Sequence, residues 1–148
     1  QNYAPALYAL GMSYYEGKGL PQDRRKAAEL LTRAAKRGSA LAQNNLGLMY
    51  DQGIGVPQDK GKAADWYEEA ADQGLVEAQF NLAQMYYSGE GVRQNRRKAA
   101  RWFEQAANQG YAKAMSRLGD MYLIGDGVEQ DIDRARTLYK QSGAAEQR

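Results

Sequence analysis

Neither cysteine nor histidine occurs anywhere in the chain. Their absence removes disulfides, thiolate zinc sites, thiol nucleophiles, imidazole bases and the commonest metal ligand together. Catalysis would have to rest on carboxylate, lysine or tyrosine side chains, and neither a metal nor a cofactor is expected. A chain without cysteine fits the cytoplasm and the bacterial periplasm equally, so the compartment is left open. No run approaches the roughly 18 apolar residues of a membrane-spanning helix, and the opening QNYAPALYALGMSYYEG lacks the basic start and cleavage pattern of a signal peptide. No transmembrane segment is expected, and a start already in phase with the pattern below fits a mature form or an excised fragment. An excess of one charge is missing too: 20 basic residues against 18 acidic ones leave a formal +2. That is too little for a global field drawing the chain onto phosphate or an anionic membrane.

What the 148 residues do contain is repetition. The blocks LGMSYYEGKGLPQD, LGLMYDQGIGVPQD, LAQMYYSGEGVRQN and LGDMYLIGDGVEQD begin at Leu10, Leu46, Leu82 and Leu118, 36 residues apart each time. A second block follows each, from Lys26, Lys62, Lys98 and Arg134: KAAELLTRAAKRG, KAADWYEEAADQG, KAARWFEQAANQG and the divergent RARTLYKQSGAAE. Self-similarity at such a fixed period marks stacked units, each burying its apolar face against the next. The units run over about 4–39, 40–75, 76–111 and 112–148, and 1–148 reads as a single repeat domain.

Within a unit, Ala42, Leu46, Met49 and Tyr50 fall at i, i+4, i+7 and i+8, while Ala63, Trp66, Tyr67, Ala70 and Ala71 fall at i, i+3, i+4, i+7 and i+8. Both spacings predict amphipathic helices. Asp23, Asp59, Asn95 and Asp131 stand just before the second helix, where a short oxygen-bearing side chain accepts free backbone N–H groups. Gly17, Gly53, Gly89 and Gly125 follow the first helix, and Gly38, Gly74 and Gly110 the second, as helix-closing residues do. The fold class is therefore all-α, a helix–turn–helix unit repeated four times. Gly11, Gly47 and Gly119 lie inside first helices, where glycine costs about 1 kcal/mol against alanine. They predict close helix–helix approach, and Ala83 at the same phase shows that one methyl group fits. Trp66 and Trp102 are expected in the core. Arg136 takes the phase of Ala28, Ala64 and Ala100, a charge that suits a final, uncovered helix, so residues 132–148 should be the least protected.

The combination A-x-x-x-LG-x-M-Y-x-x-G-x-GV-x-QD-x-x-KA-x-x-W-[YF]-x-x-AA-x-QG, seen best from Ala42 to Gly74, resembles the Sel-one-like repeat family, relatives of the tetratricopeptide repeats, over nearly the whole chain. Leu30 and Leu138 depart from it at the tryptophan, and Ser142-Gly143 at the paired alanines. The resemblance implies a right-handed α/α superhelical solenoid of four 36-residue units, whose first helices line a concave surface used to assemble other proteins.

Other chemistries fare worse. The Gly-x-Gly pairs recur after a helix, without the strand, spacing or Lys-Ser/Thr of a phosphate loop. The stretch SGEGVRQNRRKAARWF joins Arg93, Arg96, Arg97, Lys98 and Arg101 to Trp102 and Phe103, and cations beside aromatics could grip nucleic acid. Trp66 and Tyr67 hold the same phase among Asp65, Glu68 and Glu69, however, so the aromatics follow the core and the charges do not. Nucleic acid is not the expected partner; the alternative reading is a nucleic-acid or anionic-surface binder using the basic outer face around Arg96, Arg97 and Arg101. Asp65, Glu68, Glu69 and Asp72 are near in sequence but nothing encloses them, and the chain reads as noncatalytic.

Residues 44, 48 and 51 point roughly opposite the core side of their helix at about 100° per residue. The four copies of that column read Tyr8, Met12, Tyr15; Asn44, Leu48, Asp51; Phe80, Gln84, Tyr87; and Ser116, Asp120, Leu123. A merely solvated face should be dominated by charge, whereas apolar surface with tyrosines marks partner sites. In the alternative, neighbouring first helices half-bury these side chains in the stack. The expectation is a scaffold or adaptor, a monomer or weak oligomer, binding another protein or peptide through Tyr8, Met12, Tyr15, Asn44, Leu48, Asp51, Phe80, Gln84, Tyr87 and Asp120.

Overall fold

A computed structural model describes residues 3–146 of the chain. They form the helices α1 (Ala4–Glu16), α2 (Arg24–Lys36), α3 (Ala40–Gln52), α4 (Lys60–Asp72), α5 (Val76–Ser88), α6 (Arg96–Asn108), α7 (Ala112–Ile124) and α8 (Ile132–Glu146), with no strand among the described residues. The fold class is thus all-α, two helices to each 36-residue repeat. The chain divides into two compact units, Gln1–Leu75 and Val76–Arg148, of two repeats each. In the first, α2 packs on α1 and α3, and α3 on α4; in the second, α6 packs on α5 and α7, and α7 on α8.

Helix boundaries fall where the capping residues stand. The side chains of Asp23, Asp59, Asn95 and Asp131 accept from the backbone N–H of Lys26, Lys62, Lys98 and Arg134 at 2.9–3.0 Å. Each satisfies one donor that the first helical turn leaves open. At the other end, Gly53 closes α3 in the left-handed region at φ 69°, and its N–H donates to the Met49 carbonyl.

The interior glycines do mark close approach. A Cβ on Gly47 would lie 2.6 Å from Tyr67 Cε1, and one on Gly119 2.8 Å from Tyr139 Cε1. These contacts explain a correction. Trp66 and Trp102 were expected in the core, yet both are half-buried; the fully buried aromatics are their neighbours Tyr67 (1% exposed) and Phe103 (0%). In the two middle repeats the ring of the residue after the tryptophan goes deepest, whereas in the last repeat Tyr139 faces Gly119 yet stays exposed and Leu138 before it is the buried residue. The indole, about 100° back around the helix, packs on the rim of the core.

The buried glutamines and Ser142 are paired, whereas Glu104 Oε2 is buried without a hydrogen-bond partner among the described residues. Gln43 donates to the Ala35 carbonyl (3.1 Å) and accepts from Gln73 (2.9 Å), tying together α2, α3 and the end of α4. Gln79 likewise accepts from Gln109 at 2.9 Å in the second unit. In α8, Ser142 replaces the usual alanine; its buried hydroxyl lies 2.7 Å from that of Ser116 and 3.1 Å from the Ala112 carbonyl it donates to. Arg136 is exposed, whereas Ala28, Ala64 and Ala100 at its phase are buried.

Candidate functional site

In the first unit the proposed face draws on α1 and α3. Tyr8, Met12, Tyr15, Leu48 and Asp51 are half-buried. Asn45 donates to the Tyr8 hydroxyl at 3.3 Å and lies 3.5 Å from Met12 Sδ. The Arg24 guanidinium sits 5.0 Å from the Tyr15 ring centroid, and Lys60 pairs with Asp51 at 2.7 Å. Asn44 departs from the expectation: it is buried, at 8% exposure, and so is withdrawn from the surface.

In the second unit the face draws on α5 and α7. Gln84 and Tyr87 are half-buried and Asp120 is exposed. Phe80 is the second departure. It was expected to face outward but is 9% exposed, edge-on to Phe103 at 5.6 Å between ring centroids and tilted against Tyr111 at 5.2 Å. Its counterpart two repeats earlier, Tyr8, has a hydroxyl that keeps a polar partner; a bare phenyl ring gains more by turning into the core.

Tyr87 is the most closely held side chain of this face. Its hydroxyl donates to Asp126 Oδ2 at 2.8 Å, and its ring lies 3.9 Å from the Arg96 guanidinium and 5.2 Å from that of Arg117. Arg96 also ion-pairs with Asp126 and donates from Nε to the Tyr87 carbonyl at 3.0 Å. The hydrogen bond to Asp126, with burial and the carboxylate charge, raises the Tyr87 pKa above that of a free tyrosine, although both guanidiniums oppose the shift. Similarly, the hydrogen bond that Tyr139 donates to Asp120 (2.6 Å) pushes its phenol up to about 12.

The basic stretch is thereby divided. Arg96 is half-buried and turned inward, while Arg93, Arg97, Lys98 and Arg101 are exposed. On the outer side of the first unit, Thr32, Lys36, Tyr50, Lys62, Asp65, Trp66 and Glu69 line an open groove of about 360 Å³. Asp65, Glu68, Glu69 and Asp72 are exposed, and among the described residues no cluster of metal-ligating side chains occurs. Among the described residues no helix is long and apolar enough to cross a membrane.

Sequence reasoning missed Arg24, Asn45, Lys60, Arg117 and Asp126 as parts of this face. A signal for some was present, because the columns 15/51/87/123 and 24/60/96/132 pair by chemistry as Tyr–Arg, Asp–Lys, Tyr–Arg and Leu–Ile.

Comparison with known proteins places this geometry in a family. The model of the Sel1 repeat matches residues 4–39, 40–75, 76–111 and 112–146. Among solved structures, a Sel1 repeat protein from Oxalobacter formigenes is similar over 97% of this chain and 59% of its own, at 31% identity and a TM-score of 0.90. The protective antigen c5321 of uropathogenic Escherichia coli, which displays an SLR fold, matches 96% of this chain and 38% of its own at 33% identity and a TM-score of 0.62. Helicobacter pylori cysteine rich protein B matches 76% of this chain and 86% of its own at 27% identity and a TM-score of 0.64. None of the curated proteins matches. The chain thus spans 59% and 38% of the first two of these relatives. With all four helix pairs in phase with the repeat model and an identity above 30% to a solved member, the chain belongs to the Sel1 repeat family.

Proposed function

We propose that the chain is a noncatalytic scaffold that takes a protein or peptide on the outward face of its first helices. Sel1 repeat proteins are in general protein-interaction scaffolds. The observation that carries the reading here is Tyr87, whose ring is flanked by Arg96 and Arg117 and whose hydroxyl is fixed by Asp126. A side chain already ordered loses little entropy when a partner covers it, and tyrosine offers a broad apolar ring beside a polar tip. Tyr8, Met12, Tyr15 and Leu48 offer half-buried apolar surface in the first unit, and Gln84 and Asp120 polar contacts in the second.

The test is capture of partners from an extract of the source cell. Tyr8→Ala with Leu48→Ala in one variant, and Tyr87→Ala in another, should each lower capture about tenfold or more if these are hot spots. Far-UV circular dichroism and denaturation midpoints must first show each variant folded. Phe80 is left intact, because its ring is core. Arg97→Ser with Arg101→Ser should leave capture intact at physiological salt, where exposed charges are screened beyond about 8 Å. Loss of partners in the arginine variant with retention in the tyrosine variants would overturn the proposal in favour of an anion-binding outer face.

A further inference from the structure

Comparing the two units position by position isolates one side chain, Arg117. Its counterpart in the first unit is Asn45, which spends its amide on the Tyr8 hydroxyl. In the second unit Phe80 stands where Tyr8 does, so the acceptor is gone just where the donor has become an arginine. Arg117 is half-buried, with its guanidinium 5.2 Å from the Tyr87 ring centroid and 5.8 Å from that of Phe103. Among the described residues it makes no hydrogen bond and no ion pair. The aromatic faces hold the cation in place and leave its N–H donors unused.

The neighbouring charges do not answer it. Asp126 is the nearby carboxylate of the cluster and is committed to Arg96 and to the Tyr87 hydroxyl. Arg96, Arg117 and Asp126 together therefore carry a net single positive charge, and it resides on Arg117. The same cluster also shows the kind of group that fits: a side-chain carboxylate seated on one guanidinium at the edge of the Tyr87 ring. A partly desolvated guanidinium with an open fork of donors matches a second carboxylate better than any neutral group.

We propose that Arg117 anchors the carboxylate of an aspartate or glutamate side chain from a protein partner, with Tyr87 packing beside it. This rests on the scaffold reading above and names the chemistry of the partner at the second unit. The probe is an N-acetylated, C-amidated tetraglutamate peptide, which has no terminal carboxylate, titrated into the 148-residue chain while the arginine Nε–Hε resonances are followed by NMR. Arg117 is expected to shift in a saturable way, tetraglutamine to leave it in place, and Arg117→Gln to weaken the peptide roughly tenfold or more, as loss of charge-assisted hydrogen bonds does. The backbone spectrum of Arg117→Gln reports whether the fold is kept, and Arg117→Lys, which retains the charge without the fork, should bind between the two.

Equal shifts at Arg97 and Arg101 would mean diffuse attraction and overturn the proposal. So would movement of Arg117 with inorganic phosphate but not with tetraglutamate. A silent Arg117, with partner capture still dependent on Tyr8 and Leu48, would remove the anchor and leave the scaffold. A responsive Arg117, with capture indifferent to every first-helix variant, would keep the anchor and remove the scaffold.

Discussion

Gly47→Ala tests the packing argument most directly. The added methyl would lie 2.6 and 2.7 Å from Tyr67 Cε1 and Cδ1, inside the distance that any pair of carbons tolerates, and Tyr67 is only 1% exposed. The ring has no empty space to enter, so the helices must part or the ring must leave its rotamer. Overpacking of this kind costs up to about 3 kcal/mol, and alanine recovers about 1 kcal/mol of helix propensity, for a net loss near 2 kcal/mol. The same change at Gly11 meets Leu31 Cγ at 3.0 Å and Cδ2 at 3.1 Å, contacts that a branched side chain can relieve by a few tenths of an ångström. Gly11→Ala should therefore be close to neutral. The third repeat supplies the control, since Ala83 and Phe103 occupy the positions of Gly47 and Tyr67 and both are fully buried. Gly47→Ala with Tyr67→Phe recreates that pair; the phenyl ring keeps Cδ1 and Cε1 but, without its hydroxyl, gains room to slide along its axis, so part of the loss should be recovered through a favourable coupling in the double-mutant cycle. Urea denaturation of the four proteins measures it. If Gly47→Ala alone is as stable as the parent, the glycine is not there for the tyrosine and the close-approach argument is wrong.

Three further outcomes follow from the same structure. Tyr67→Ala should destabilise by about 3–5 kcal/mol, as full aromatic truncations do, and Trp66→Ala by clearly less because its indole is half-buried; the reverse order in chemical denaturation would restore the tryptophan to the core. Asp59→Ala removes the side-chain acceptor of the Lys62 N–H and should cost about 1 kcal/mol, with faster hydrogen exchange confined to the first turn of α4. Burial, helped by the Asp51 charge, raises the Tyr67 pKa above 10.0, so the folded chain holds that proton more tightly than the unfolded one. Its contribution is complete below about pH 10 and declines as pH rises past that value toward the folded pKa; the urea midpoint should fall more steeply between pH 9 and about 11 in the parent than in Tyr67→Phe, and parallel curves would refute the assignment.

Much of this was legible in the sequence because it is local. Asp59 and Gly53 act through backbone groups within four residues of themselves, and repetition states the same signal at each phase. Depth was harder to read. Trp66 and Tyr67 both lie in the apolar stripe of α4, and periodicity cannot rank them; the decision belongs to Gly47, on another helix. A fixed 20-residue spacing did carry the information in the pairs Gly11/Leu31, Gly47/Tyr67 and Ala83/Phe103, whose second members are fully buried, but not in Gly119/Tyr139, whose ring stays exposed. Phe80 was misplaced for a related reason. Phase assigned it to the column of Tyr8, but whether a ring at that position stays at the surface depends on its hydroxyl and on Phe103 and Tyr111.

The cations that open the second helices acquire a structural purpose that charge counting cannot supply. A positive charge in the first turn opposes the helix dipole, and α2 and α6 nevertheless begin Arg-Arg-Lys. At the third position of these helices and their equivalents, a cation lies over a tyrosine of the preceding first helix: Lys26 on Tyr14 at 5.8 Å, Lys62 on Tyr50 at 5.5 Å, Lys98 on Tyr86 at 5.3 Å and Arg134 on Tyr122 at 6.0 Å. At the first position Arg24 and Arg96 do the same for Tyr15 and Tyr87. Each such contact contributes about 0.5–1 kcal/mol at an exposed site, enough to offset an unfavourable dipole of similar size, and it fastens the second helix to the first across the loop. These cations recur because the tyrosines recur. Arg97 and Arg101, whose counterparts in the second repeat are Gly61 and Asp65, are free of that constraint. A nucleic-acid surface would need its phosphate-contacting charges repeated along the units, and in this chain the cations at the position that carries one in every unit, Lys26, Lys62, Lys98 and Arg134, are already placed on rings.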